Sequence, residues 1–116
     1  MRRKEKLARA LLKEINIIIH DALKDPRLGL VSITHIEISP DLRQAKVFFS
    51  VLGKDQDYRI THEILNSAKG FIRHMISQRM RLKYTPEIIF REDRSAEESI
   101  RIQEIINEIN KENEHL

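Results

Sequence analysis

The sequence predicts an α+β fold: one two-layer sandwich of helices on a three-stranded sheet. Three observations predict it. A long apolar repeat at helical spacing opens the chain. Two runs with strand-like alternation then follow across a short polar turn. A second helical stretch, interrupted by Gly70, separates them from a third alternating run over 84–90. Segregated strands and helices of this kind bury their apolar faces best as two layers.

The first helix is predicted over 4–24. Leu7, Leu11, Ile15, Ile18 and Ala22 form its apolar stripe, widened by Ile19 and Leu23. At about 100° per residue, Lys6, Arg9, Lys13, His20 and Lys24 gather on the opposite face as a basic ridge. Asp25-Pro26 is expected to stop this helix, because proline disfavours helical geometry in the residue before it.

The first strand is predicted over 30–38. Val31 and Ile33 share one parity and Ile36 and Ile38 the other, so the phase switch at Thr34-His35 reads as a bulge or as burial on both faces. Ser39-Pro40-Asp41-Leu42 is a turn by composition. A second strand over 43–52 turns Ala45, Val47, Phe49 and Val51 inward and leaves Arg43, Lys46 and Phe48 outside. The two form an antiparallel hairpin. After a loop over 53–57, with Asp57 as the expected N-cap, a helical pattern runs over 58–82 with a bend at Gly70. Tyr84, Pro86, Ile88 and Phe90 alternate as the third strand. Ser95-Ala96-Glu97-Glu98 opens a final helical segment as a capping box, with Ile102, Ile105, Ile106 and Ile109 as a narrow stripe.

A mid-helix glycine costs about 1 kcal/mol relative to alanine. Two readings of Gly70 are expected to hold together. Ala68 and Gly70 let two helices, or a helix and the sheet, pack tightly and so set the bend, and the bend presents Lys69 where a phosphate backbone can approach.

Composition excludes several functions. With no Cys there is no disulfide, no thiolate nucleophile and no Cys-based metal site, and a cytoplasmic location is expected. No apolar run approaches the ~18 residues of a membrane helix, and the N-terminus lacks the apolar core of a signal peptide. Three glycines exclude a P-loop and a dinucleotide fingerprint, and GxSxG and HExxH are absent. His20, His35, His62, His74 and His115 have no metal-ligand spacing. No cofactor, metal or catalytic set is therefore expected.

Charge is the informative signal. Residues 1–91 hold 18 basic and 10 acidic side chains, a balance of +8, whereas residues 92–116 hold 3 and 8, a balance of −5. A basic body suits a polyanion. The candidate RNA-contacting residues are Arg2, Arg3, Lys4, Lys6, Arg9 and Lys13 on the first helix, and Arg43 and Lys46 on the hairpin. Lys69, Arg73, Arg79, Arg81 and Lys83 complete the set, in a stretch with no acid from 69 to 83. Aromatic side chains number six, too few to suggest base stacking, so binding is expected to lean on shape and phosphates.

The order of these motifs resembles the ribosome-binding factor A family. The resemblance rests on Arg2-Arg3-Lys4 opening the first helix, Asp25-Pro26-Arg27 before Val31-Ser32-Ile33-Thr34, and Leu42-Arg43-Gln44-Ala45-Lys46-Val47-Phe48. It continues through Ala68-Lys69-Gly70, Leu82-Lys83-Tyr84-Thr85-Pro86-Glu87-Ile88 and Asp93-Arg94-Ser95. It implies a KH-like domain of type-two topology over 1–93, with the Ala-x-Gly kink in place of a GxxG loop. Residues 94–116 are then an acidic tail, helical or partly disordered. It further implies a non-enzymatic assembly factor. Such a factor binds free small ribosomal subunits and their rRNA, and assists late maturation and processing near the 5′-terminal rRNA helix. It matters most in the cold. A monomer without membrane or small-molecule partners is expected. The alternatives are a KH-like module for another RNA, and a protein-interaction module acting through the C-terminal helix.

Overall fold

The computed structural model describes residues 2–114; the His115 expectation lies outside them. The elements run α1 (Arg3–Asp21), β1 (Val31–Ile38), β2 (Gln44–Val51), α2 (Asp55–Ser67), α3 (Lys69–Arg79), β3 (Glu87–Glu92) and α4 (Ser95–Glu114). This is the predicted α+β order, that of a KH-like domain of type-two topology. No helix among the described residues is long and apolar enough to cross a membrane.

The sheet has the order β1-β2-β3. β1 and β2 are antiparallel, from Val31 opposite Val51 to Ile38 opposite Ala45. The register shifts between Ile33 and His35. Thr34 is the extra residue of a bulge, which lets Ile33 and Ile36, three apart, both face the core. β3 lies parallel to β2, with Ile88 opposite Ala45 and Phe90 opposite Val47. The α2–α3 pair supplies the crossover that a parallel pairing requires.

α1, α2 and α3 cover one sheet face. Between the layers lie Leu11, Ile15 and Ile18 of α1, Phe49 of β2, Leu65 of α2, Ile72 and Ile76 of α3, and Phe90 of β3, all essentially inaccessible. Truncating one such isoleucine to alanine costs about 2–5 kcal/mol. The other face is open and carries His35, Glu37, Lys46, the half-buried Phe48 and Arg91.

Several local expectations are corrected. α1 ends at Asp21, before Pro26: the Ala22 and Leu23 N–H groups both reach the Ile18 carbonyl, and the partly buried Ala22 and Leu23 pack on the core. α2 begins at Asp55, so Asp57 is the third helical residue and Lys54 the N-cap. The Asp57 carboxylate accepts the Lys54 N–H at 2.8 Å. The helical break falls at Ala68, with φ −91° and ψ 0°, and Gly70 lies inside α3. Gly70 has no positive φ, and a Cβ there would meet nothing within 4 Å, so the tight-packing reading fails at Gly70. The bend is made at the α2–α3 junction by core residues on both sides, Leu65 and Ile72, each held in the same cluster. α3 stops at Arg79, and β3 starts at Glu87, which leaves Tyr84 and Pro86 in the connection. Ser95 is the first residue of α4 rather than its cap, and the Asp93 carboxylate accepts the Ser95 N–H at 2.9 Å and the Ser95 hydroxyl at 2.6 Å.

Two further features position the basic end of the molecule. Leu42, in the β1–β2 turn, has φ 63°, a left-handed conformation that costs a non-glycine residue of order 1 kcal/mol. Its side chain packs against the core, which compensates. Arg94 anchors the root of α4: it lies 4.1 Å from the Tyr58 ring centroid and pairs with Asp55 and Glu92. Beyond that root α4 buries no residue.

Candidate nucleic-acid interface

The start of α1, the β1–β2 turn and the α3–β3 connection meet at one end of the sheet. They enclose an open groove of about 680 Å³ lined by Arg3, Lys6, Leu7, Ala10, Asp41, Leu42 and Met80–Tyr84. Arg3, Lys6, Arg81 and Lys83 bring four positive charges from chain positions some eighty residues apart. Asp41 is the one acid in this lining, and it stays charged against the four cations. Its carboxylate accepts from the Ser39 hydroxyl at 2.7 Å and the Arg43 N–H at 3.0 Å, and these bonds hold its pKa below the ordinary value. A second groove, about 740 Å³, adjoins the first; its charged lining is Arg43 with the acids Asp41 and Glu87, beside Gln44, Tyr84 and Thr85. Asp41 and Tyr84 line both.

The remaining predicted residues divide by circumstance. Arg9 and Lys13 are exposed on α1, and with Lys6 they continue the basic ridge away from the groove. Lys4 and Arg9 also line shallow clefts between α1 and β1. Arg2 is exposed at the α1 N-cap. Lys46 stands on the open sheet face, paired in register with Glu37. Lys69 is half-buried at the start of α3, about 15 Å along the helix from Arg79.

Two of the cations, both exposed, are engaged by contacts within the protein. The Arg73 guanidinium donates to the Pro86 carbonyl at 3.2 Å and to the Thr85 carbonyl at 3.0 Å, and so holds the α3–β3 connection against α3. Arg79 pairs with Glu14 of α1 and cross-links the two helices. The stretch over 69–83 has no acid of its own, but α1 supplies one.

Tyr84 is the residue that sequence reasoning misplaced. Alternation with Pro86, Ile88 and Phe90 suggests a strand position, yet the ring stands 63% exposed in the connection before β3. The Arg43 guanidinium lies 5.7 Å and the Lys83 ammonium 5.6 Å from its centroid. The available signal was local: Arg81-Leu82-Lys83-Tyr84 sets an aromatic directly after two cations.

A family model for ribosome-binding factor A matches residues 3–106. The chain belongs to the ribosome-binding factor A family. The ribosome-binding factor A of Caldanaerobacter subterraneus subsp. tengcongensis is 48% identical over 110 residues, 94% of this chain and 90% of that protein. The solution NMR structure of a Thermotoga maritima candidate ribosome binding factor A is 40% identical, with TM-score 0.71 over 80% of this chain and 89% of that one. A homology model of the Thermus thermophilus ribosome binding factor A, fitted into a cryo-EM map of a 30S–RbfA complex, superimposes with TM-score 0.59 and 25% identity. It covers 79% of this chain and 92% of that one. In this ribosome-binding factor A fold, the groove combines free cations with an exposed ring. A surface of this kind is suited to phosphates, whose neutralisation displaces counterions. Among the described residues no three His, Asp or Glu side chains gather as a metal site.

Proposed function

We propose that the protein is an assembly factor for the small ribosomal subunit. It binds free subunits through the basic groove and the adjoining α1 ridge, and it assists late maturation and processing of small-subunit rRNA near its 5′-terminal helix. The observation that carries this reading is the convergence of four cations, Arg3, Lys6, Arg81 and Lys83, on one groove that holds a single acid, Asp41. The fitting of a related chain into a 30S–RbfA map supports the choice of RNA.

The protein acts by binding and not by catalysis. A factor that holds one rRNA conformer better than its competitors shifts the population toward it by its differential affinity. Misfolded rRNA persists longest in the cold, so the role is greatest there. The acting unit is residues 1–93, a cytoplasmic monomer with no membrane or small-molecule partner, and 94–116 is an acidic appendage. Co-sedimentation with separated ribosomal subunits at rising salt is the test. Binding to free small subunits that weakens linearly on a log–log salt plot supports the proposal. Equal binding to both subunits, or none, refutes it.

A second reading has one observation in its favour. Ile100, Ile102, Ile105, Ile106 and Ile109 of α4 are 44–61% exposed, which suits a protein-interaction helix. A dimer in sedimentation that is lost from a chain ending at Glu92 would support that reading over the monomer.

A further inference from the structure

Three aromatic rings, Phe48, Phe71 and Tyr84, are at least partly accessible in the folded chain, and their settings differ. Phe48 is half-buried in the open sheet face and tilts against His35 at 5.5 Å between centroids. Phe71 is 43% exposed on α3, next to Gly70 and away from the basic groove. Tyr58 is buried beneath Arg94. Tyr84 alone stands at the divide between the two grooves at the basic end.

We propose that Tyr84 is a stacking platform for one unpaired nucleobase of the bound RNA. The proposal rests on the RNA-binding reading above and adds a site to it. Three observations carry it. The ring is 63% exposed, so the core does not require it there. Its hydroxyl makes no hydrogen bond to any described residue, so it is not held as a polar fastener. The Arg43 and Lys83 charges lie 5.7 and 5.6 Å from the centroid, inside the range of cation–π attraction.

Those two cations orient the ring and also attract phosphates. A strand whose phosphates meet Lys83 and Arg81 on one side and Arg43 on the other passes over the ring, and a base splayed from it reaches the aromatic face. The adjoining grooves, about 680 and 740 Å³, fall in the size range of sites that take a molecule as large as a nucleotide. Stacking is tolerant of base identity because every base has a π-face. The platform therefore selects an unpaired base at a fixed point on the RNA and reads no sequence.

The test titrates wild type, Y84A, Y84F, Y84W and R81E against isolated free small subunits over a range of salt, with thermal melting of each variant alongside. The platform predicts that Y84A weakens binding roughly 5- to 150-fold with its salt slope and melting temperature unchanged. Y84F and Y84W hold affinity within about twofold, since a ring of either kind still stacks. Y84A binding within about twofold of wild type, while R81E is weakened, overturns the platform and leaves the RNA reading intact. Loss in Y84A accompanied by a changed slope or lower melting temperature also overturns it, because Tyr84 is then a fastener for Arg43 and Lys83. If neither wild type nor R81E binds in a salt-dependent way, the RNA reading falls and the platform with it.

Discussion

Asn16 of α1 acts toward Ile33 of β1 as a neighbouring strand would. Its carboxamide oxygen accepts the Ile33 N–H at 2.9 Å, and its amide nitrogen donates to the Ile33 carbonyl at 3.1 Å. β1 is an edge strand, and Ile33 directly precedes the bulge, where ladder pairing is interrupted. One side chain thus satisfies two backbone groups that the sheet does not, and it ties the helical layer to the sheet.

Replacing Asn16 with alanine strands both Ile33 groups in a partly buried position. The expected cost is about 1–3 kcal/mol, although alanine is the better helix former. Urea denaturation measures it, and a loss under about 0.5 kcal/mol would show that water serves Ile33 equally well.

Arg73 and Arg81 carry the same charge in the same stretch but have different work. R73A removes an exposed guanidinium that holds Thr85 and Pro86, so stability is expected to drop by about 0.5–1.5 kcal/mol. Arg81 is exposed and lines the groove, so R81E is expected to leave stability within about 0.5 kcal/mol. Its effect appears in subunit binding, with weaker affinity and a salt slope smaller by about one. Paired melting and salt titrations separate the two, and equal behaviour of the variants refutes the division.

Gly70→Ala is expected to stabilise the protein by about 0.4–1 kcal/mol. The position is helical, its φ is not positive, and an added Cβ meets open space. If RNA binds tightly against this backbone, the same variant binds subunits more weakly while melting at a higher temperature. Destabilisation would contradict the open geometry.

Asp93 links pH to the root of α4. Its pKa is lowered chiefly by the Ser95 hydroxyl, then by the Thr34 hydroxyl and the Ser95 N–H. A carboxylate depressed below its unfolded value of about 3.9 stabilises the fold above that pH, and the contribution disappears as pH falls through the folded value. Stability should therefore hold from neutral pH to about 4 and fall below it. D93N should flatten that acid limb while α4 stays helical, because the Asn carboxamide oxygen can still accept the Ser95 N–H. Acid titration followed by circular dichroism reads both, and a D93N acid limb matching wild type would sink the assignment.

Much of the fold is legible from spacing. The parity switch between Ile33 and Ile36 announces the bulge, and the stripe from Leu7 to Ile19 announces α1. The alternation from Ala45 to Val51 marks the buried side of β2, while Ile88 and Phe90 mark that of β3. Each is a local pattern, because burial on one face repeats with the period of the backbone. Boundaries were less legible. Pro26 signals a stop but lies beyond the end of α1, because Ala22 and Leu23 gain more from the core than from a further helical turn. Gly70 signals a break that occurs at Ala68, because the packing of Leu65 and Ile72 sets the angle.

The basic character of this protein follows from its amino acids alone, since charge is additive and needs no coordinates. Which charges remain available does not. Glu14 reaches Arg79 across 65 residues of chain, and the Thr85 and Pro86 carbonyls take Arg73. Arg3 and Lys6 come to lie beside Arg81 and Lys83, with Tyr84 between the two grooves. These relations depend on how the helices pack on the sheet, and a pairing energy that falls with distance in space leaves no mark on spacing along the chain.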